Sequence, residues 1–127
     1  KYRSRGLEIV SLMFEQHAEF NRAAAAVQRF RTAYGVTYPT LIAGTADKTK
    51  AAAVLPQLDA VLAYPTAIFI DRTGRVREIH TGFAGPATGV QHDLLAHEFA
   101  TWIEELLQPG AAAAEPPAPT TEPPLSP

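Results

Sequence analysis

The sequence contains no cysteine, a single methionine and a single tryptophan. Without cysteine, these 127 residues hold no disulfide framework, no thiolate metal ligand and no catalytic thiol. Eleven basic and 13 acidic side chains give a formal net charge of -2, so no basic surface indicates binding to nucleic acid. No apolar run approaches the roughly 20 residues of a transmembrane helix. These absences exclude several classes of function within this stretch.

The remaining composition is that of one globular domain followed by a proline-rich tail. Hydrophobic residues make up 46% and charged residues 19% of the chain, which is ordinary for a globular domain. Seven of the 11 prolines lie from Gln108 onward, among Ala, Thr and Glu residues that cannot form a core. We therefore expect a folded portion over residues 1–107 and a disordered, locally extended tail over residues 108–127.

The first six residues have the pattern of a helix end. Basic side chains suit the negative end of a helix, and Gly6 suits the left-handed position that follows the last helical turn. A helix that begins in its last turn predicts that the chain is cut from a longer polypeptide.

Hydrophobic periodicity predicts alternating strands and helices. Apolar, β-branched runs indicate strands, a three- and four-residue spacing indicates amphipathic helices, and Asp47 is suited to cap a helix. The predicted elements are a strand at Leu7–Phe14, a helix within Glu15–Tyr34, a strand at Thr40–Gly44, a helix from Asp47 to Leu55, a helical turn within 57–63, a hairpin of strands 67–71 and 75–81, and a helix at 90–107. This order predicts an α/β fold with a mixed sheet flanked by helices.

The last predicted helix is the most strongly amphipathic, and its apolar side chains recur on one face. The side chains that line this face are Leu94, Leu95, Phe99, Trp102, Ile103, Leu106 and Leu107. Glu98, Glu104 and Glu105 are expected to point away from this face.

Four short motifs combine into a family resemblance. They are Gly6-Leu7-Glu8-Ile9-Val10, Tyr34-Gly35-Val36-Thr37-Tyr38-Pro39, Tyr64-Pro65-Thr66 with Phe69-Ile70-Asp71 and Gly74, and His80-Thr81-Gly82-Phe83-Ala84-Gly85-Pro86. Together they resemble the TlpA/ResA-type thiol-disulfide reductases, which have a thioredoxin-like fold, with the AhpC/TSA redoxins as more distant relatives. The resemblance covers about residues 3 to 107.

The resemblance implies a substrate groove at Tyr64, Pro65 and Thr66, with Pro65 in the cis form. An extended substrate would pair there with free backbone as an added strand. The similar Tyr38-Pro39-Thr40 lacks a following hairpin and is expected to hold a trans proline. The family's Cys-x-x-Cys, its preceding central strand and the active-site helix would lie before Lys1, so the chain alone should be inactive.

The absent central strand would lie between the strand at Leu7–Phe14 and the strand at 67–71. Each of these strands would then expose an unpaired backbone edge. An unpaired buried backbone group costs about 1–3 kcal/mol, against a domain stability of about 5–15 kcal/mol. We expect the chain alone to be marginally stable, to close the gap, or to self-associate through its unpaired strand edges.

Other polar residues offer weaker candidates. Glu15 follows the first strand and is a candidate proton-handling acid, with a solvated helix residue as the alternative reading. His92 and His97 are five residues apart on the last predicted helix and do not share a face, and His17 and His80 belong to distant elements. A metal site is therefore not predicted. Asp71 to Gly74 is expected to be a tight turn rather than a cation loop.

The expected function of the parent protein is thiol-disulfide oxidoreduction on protein or peptide thiols and disulfides, in an extracytoplasmic or membrane-anchored setting that the family implies. No cofactor or nucleic acid is expected. Two alternatives stay open, a redox-dead thioredoxin-like binding module and a fragment of a peroxiredoxin-like peroxidase.

Overall fold

A computed structural model describes residues 1–16, 19–56, 58 and 60–110 of the chain. Within these ranges it contains three α-helices and four strands, which confirms a mixed α/β class. In chain order the elements are a 3₁₀ turn at Arg3–Arg5, β1 (Ser11–Glu15), α1 (Phe20–Tyr34), β2 (Thr40–Thr45), α2 (Lys48–Val54), β3 (Thr66–Ile70), β4 (Val76–Thr81), a 3₁₀ turn at Pro86–Thr88 and α3 (Val90–Leu107).

The strands form two separate two-stranded sheets, one parallel and one antiparallel. β1 and β2 pair in parallel from Ser11↔Thr40 to Glu15↔Thr45, with a register shift after Met13. β3 and β4 pair antiparallel, from Thr66↔Thr81 to Ile70↔Val76. In the described residues no ladder joins β1 to β3, and this is the place where the absent central strand was expected to lie.

The first strand is shorter than the sequence predicted. It begins at Ser11, not Leu7, and Ile9 and Val10 are 48% and 54% exposed. The N–H of Ser11 donates to the carbonyl of Pro39 at 3.0 Å. Because Pro39 has no N–H, the ladder cannot continue toward residue 7 on this side.

The helices follow the predicted pattern with one shifted boundary. α1 begins at Phe20, whereas Glu15 still belongs to β1, and its carbonyl accepts from the N–H of Ala46 at 3.0 Å. Gly35 ends α1 in the left-handed conformation at φ 62°. The Asp47 carboxylate caps α2 by accepting from the N–H groups of Thr49 and Lys50, as predicted.

The remaining local predictions have mixed outcomes. Gly6 closes the Arg3–Arg5 turn with φ 106°, and α3 has its predicted bounds. Leu94, on the predicted apolar face of α3, is 64% exposed. The predicted turn within 57–63 falls partly on Gln57 and Asp59, which lie outside the described residues, and the predicted tail lies outside them from residue 111.

Two apolar clusters hold the elements together. Ala51, Leu58 and Val61 form a buried cluster, against which Phe14 of β1 and Ile68 of β3 both pack. On the other face of β3, Phe69 meets the rings of Phe99 and Trp102 edge-on, with centroids 5.0 and 5.1 Å away. The first cluster therefore joins the two sheets, and the second attaches α3 to the β3–β4 sheet. No described helix is long and apolar enough to cross a membrane.

Candidate functional site

The loop Tyr64-Pro65-Thr66 leads directly into β3. The Tyr64–Pro65 peptide bond is cis, as predicted, and no other described peptide bond is, so Pro39 is trans. Two hydrogen bonds hold the loop in place. The Thr66 hydroxyl donates to the carbonyl of Ala63 at 2.8 Å, and the Gly82 N–H donates to the carbonyl of Pro65 at 2.8 Å. Tyr64 is 41% exposed and makes no backbone hydrogen bond to another described residue.

The β3–β4 ladder decides which backbone groups of the loop are free. In an antiparallel pair, residues directly opposite each other alternate between hydrogen-bonded and non-hydrogen-bonded positions. The Gly82–Pro65 bond makes that pair a bonded one, so Thr66 and Ile68 occupy non-bonded positions opposite Thr81 and Ile79. The N–H and C=O groups of Thr66 and Ile68 therefore point away from β4.

β1 ends beside this loop. The rings of Phe14 and Tyr64 lie with centroids 5.7 Å apart and an interplanar angle of 34°. Phe14 is the last but one residue of β1, so the carboxyl end of β1 lies next to the amino end of β3. In open α/β sheets, the carboxyl ends of parallel strands border the usual ligand crevice.

Glu15 is placed differently from Phe14. It is half-buried and is the last residue of β1. Neighbouring side chains of a strand point to opposite faces. The structure therefore brings Phe14, and not Glu15, to Tyr64, and the proton-handling role of Glu15 stays a prediction.

A lysine outside the predicted site fixes the approach to the loop. Lys48, the first residue of α2, donates from Nζ to the carbonyl of Leu62 at 2.7 Å. This bond attaches Leu62, two residues before Tyr64, to α2, whose Ala51 is fully buried. A charged donor makes such a bond stronger than a neutral one.

The β3–β4 turn has one buried carboxylate. Asp71 Oδ1 accepts from the Thr73 hydroxyl at 2.6 Å and from the N–H groups of Thr73 and Arg75 at 2.8 and 3.1 Å. Arg77 Nη1 lies 3.6 Å from Oδ2. The Thr73 hydroxyl, more than any other group, lowers the pKa of Asp71, while burial opposes the shift. The predicted turn is confirmed, and Asp71 supports the hairpin.

The described histidines do not gather around a metal. His80 lies in the aromatic cluster, 5.3 Å from the Phe99 ring, and His92 Nδ1 lies 2.8 Å from the carbonyl of Ala84. Across the described ranges, no group of three or more His, Cys, Asp or Glu side chains could hold a metal ion. His17 lies outside those ranges.

No protein-family model matches this chain, and no curated protein sequence is significantly similar to it. The resemblance to TlpA/ResA-type reductases therefore stays a proposal.

Phe14 and Lys48 contribute to the site but were not among the predicted site residues. Phe14 could have been suspected from its position at the end of the first strand. Lys48 gave no signal, because a lysine in the first turn of a helix is ordinarily solvated and its acceptor is a backbone carbonyl 14 residues away.

Proposed function

We propose that residues 1–107 are the C-terminal portion of a thioredoxin-like domain in a thiol-disulfide oxidoreductase. In this proposal the chain supplies the substrate-binding loop Tyr64-Pro65-Thr66. The observation that carries it is the position of Tyr64 against Phe14 at the carboxyl end of β1, with the backbone groups of Thr66 directed away from β4. The order of the elements and the motifs around them support the same proposal.

The reactive sulfur atoms would belong to the longer protein, since these residues include no cysteine. One thiolate attacks a sulfur of the substrate disulfide, forming a mixed disulfide and releasing the other substrate sulfur as a thiolate. A second thiolate then attacks the mixed disulfide and releases the second substrate sulfur. Two electrons have passed to the substrate, the protein holds a disulfide, and an external dithiol must reduce it again.

The loop would position an extended protein or peptide substrate. Thr66 offers an N–H donor and a C=O acceptor on an open strand edge, which is the arrangement that strand addition uses. Tyr64 would cover the substrate backbone from the side of β1. Glu15 is retained as the candidate proton-handling acid at the same end of β1.

From the resemblance to the TlpA/ResA-type reductases, we propose an extracytoplasmic or membrane-anchored parent protein. The absence of cysteine favours one competing function, a binding module that uses the same loop without redox chemistry. Both candidates predict peptide binding at Tyr64, and only the first predicts turnover.

The test uses the complete polypeptide encoded around this stretch, with its upstream sequence. It is assayed for dithiol-dependent reduction of insulin and, in parallel, of a hydroperoxide. Disulfide reduction that requires an upstream cysteine pair supports the oxidoreductase, whereas hydroperoxide reduction by a single cysteine indicates a peroxidase. Binding of peptides without any turnover would leave the binding module.

A matched pair of variants tests the loop. Tyr64→Ala is expected to raise KM for a peptide disulfide about tenfold, equivalent to about 1.4 kcal/mol, with a smaller effect on kcat. Tyr38→Ala, in the second Tyr-Pro-Thr, is expected to leave KM unchanged. Equal effects of the two variants would remove the loop from substrate binding.

A further inference from the structure

Two helices of the chain carry opposite charge. α1 contains three arginines and no acidic residue, whereas α3 contains four acidic residues and no lysine or arginine. Arg31 of α1 is half-buried, and Glu104 of α3 is paired with Arg5. The remaining arginine and acidic side chains of the two helices are exposed. The two helices therefore present surfaces of opposite sign to solvent.

The exposed charges have the same spacing on both helices. Arg22 and Arg29 are seven residues apart on α1, and Glu98 and Glu105 are seven residues apart on α3. Seven residues make nearly two turns, so the members of each pair lie along one line, about 10.5 Å apart. None of these four side chains makes a hydrogen bond or ion pair with another described residue. Their equal spacing allows both ion pairs to form at once between two copies of the chain.

The residues around the arginines suit close packing of two helices. Three alanines share the face of the two arginines, and these five residues form what we call the arginine face: Arg22, Ala25, Ala26, Arg29 and Ala33. Ala25 and Ala33 are exposed, and Ala26 is half-buried. Because alanine side chains are small, the axis of a second helix can approach this face closely.

The corresponding face of α3 carries apolar surface as well as charge. It recurs every three or four residues, and we call it the glutamate face: Leu94, Glu98, Thr101 and Glu105. All four side chains are exposed. Leu94, at 64% exposure, lines a groove together with Phe83, which is 68% exposed. Clustered apolar side chains that stay exposed mark a surface that binds a partner.

The position of Leu94 selects the direction of the two helices. Leu94 lies four residues before Glu98, and Ala33 lies four residues after Arg29, so antiparallel helices bring Leu94 onto Ala33. Parallel helices would instead bring Leu94 to a position two residues before the start of α1 at Phe20. Antiparallel helices also set the ends of their dipoles against ends of opposite sign.

We propose that the partner of these faces is a second copy of this chain, with the arginine face of one copy packed antiparallel on the glutamate face of the other. Arg29 then pairs with Glu98, and Arg22 pairs with Glu105. Because the two faces differ, the contact is heterologous, and it closes into a ring or continues as a chain. It uses no strand edge and does not depend on the proposed redox function.

The test measures the mass of the 127-residue chain by sedimentation at several protein concentrations and low salt. Arg29→Glu and Glu98→Lys, each alone, turn an attractive pair into a repulsive one, and each is expected to weaken self-association about tenfold or more. Raising the salt from about 0.05 M to about 0.5 M should weaken association of the parent chain, because the charges are exposed.

Two double variants that keep the net charge of the parent chain test the pairing itself. In the matched exchange, Arg29→Glu with Glu98→Lys, the opposed charges have traded places, so association is expected to return to the parent level. In the crossed exchange, Arg22→Glu with Glu98→Lys, both opposed pairs carry like charges, so association should stay lost. Recovery in the matched exchange also shows that the single substitutions it contains do not unfold the chain, and circular dichroism measures the helix content of every variant.

Four results would overturn the proposal. Unchanged association in both single variants indicates pairing elsewhere, such as at strand edges. Failure of the matched exchange to recover shows that Arg29 and Glu98 do not face each other. Recovery in the crossed exchange alone indicates parallel helices. A parent chain that stays monomeric at every concentration excludes a second copy as the partner.

Discussion

Arg5 and Glu104 form a double ion pair, with Nη1–Oε1 and Nη2–Oε2 distances of 2.8 Å each. The pair joins the turn before β1 to α3, which packs on β3. Both side chains are nearly half exposed, so the pair contributes little free energy on its own. The hydrogen bond from Arg5 also lowers the pKa of Glu104. The β1–β2 and β3–β4 sheets are thus held together by side chains instead of a backbone ladder.

The contact between Phe14 and Tyr64 should couple the two sheets energetically. We expect Phe14→Ala to lower the free energy of unfolding by about 1–3 kcal/mol, because a half-buried ring leaves a smaller cavity than a fully buried one. The double variant with Tyr64→Ala should reveal a coupling energy of about 0.5–1.5 kcal/mol. The measurement is a double-mutant cycle in urea. Strict additivity would show that the rings do not interact in solution.

Asp71 should make the chain less stable in acid. Its pKa is lowered in the folded state from the ordinary 3.8, so its charge stabilises the fold above that pH. This contribution is lost as the pH falls through the lowered folded-state value. The Asp71→Asn variant should therefore be less stable than the parent chain at pH 6, and its stability should fall less steeply below pH 4. Urea midpoints measured across the pH range give both values.

Thr73→Val supplies the matched test of the cause. It keeps the shape of the side chain and removes the hydroxyl that lowers the Asp71 pKa most. The stability of this variant should therefore also fall less steeply below pH 4, although by less than in Asp71→Asn. Thr101→Val removes a hydroxyl that donates to the His97 carbonyl on α3, far along the chain from this turn. Thr101→Val should leave the fall of stability below pH 4 unchanged.

Lys48 should restrain the segment before the substrate loop. Lys48→Met removes the bond to the Leu62 carbonyl, and a net loss of about 1 kcal/mol corresponds to roughly fivefold faster local opening. We expect faster amide exchange over residues 61–66, with little change in α3. Lys50→Met serves as the control, because Lys50 lies on the same helix and its side chain makes no hydrogen bond or ion pair with a described residue. Equal exchange in both variants would argue against the restraint.

The 127-residue chain alone should be marginally stable or self-associated. Open edges remain on all four described strands, and apolar side chains such as Ile70 and Ile79 are about half exposed. We expect either a melting temperature below about 60 °C, which lies within the mesophile range, or one that rises with protein concentration. Thermal melts by circular dichroism and sedimentation at several concentrations measure this. A cooperative monomer that melts above 60 °C would contradict it.

Local chemistry explains which parts of the structure could be predicted from the sequence. Asp47 as a cap, Gly6 and Gly35 as helix ends, and the Asp71 turn depend on neighbouring residues, and all were correct. The start of β1 depended on Pro39, which lies 28 residues after Ser11 and supplies no donor. Whether two strands share one sheet depends on what lies between them, and the periodicity of either strand contains no information about that.

The site was predictable to a similar extent. Pro65 and its neighbours could be identified because their conformation depends on a short motif, Tyr64-Pro65-Thr66 followed by a hairpin. The contact between Phe14 and Tyr64 and the hydrogen bond from Lys48 to Leu62 depend on packing between elements distant in sequence. Leu94 shows the converse, since a helical pattern identifies an apolar face without identifying what covers it.

The two sheets differ greatly in how far apart their partners lie along the chain. The Ser11–Thr40 pair of β1 and β2 is separated by 29 residues, whereas even the widest hairpin pair, Thr66–Thr81, is separated by 15. Closing the longer loop costs more chain entropy, and such pairings form more slowly. The hairpin with α3 should therefore gain its protected amides before β1 and β2 meet, an order that pulse-labelled exchange during refolding would resolve. On a ribosome this order is unfavourable, because the slower half of the chain is also the half that emerges first.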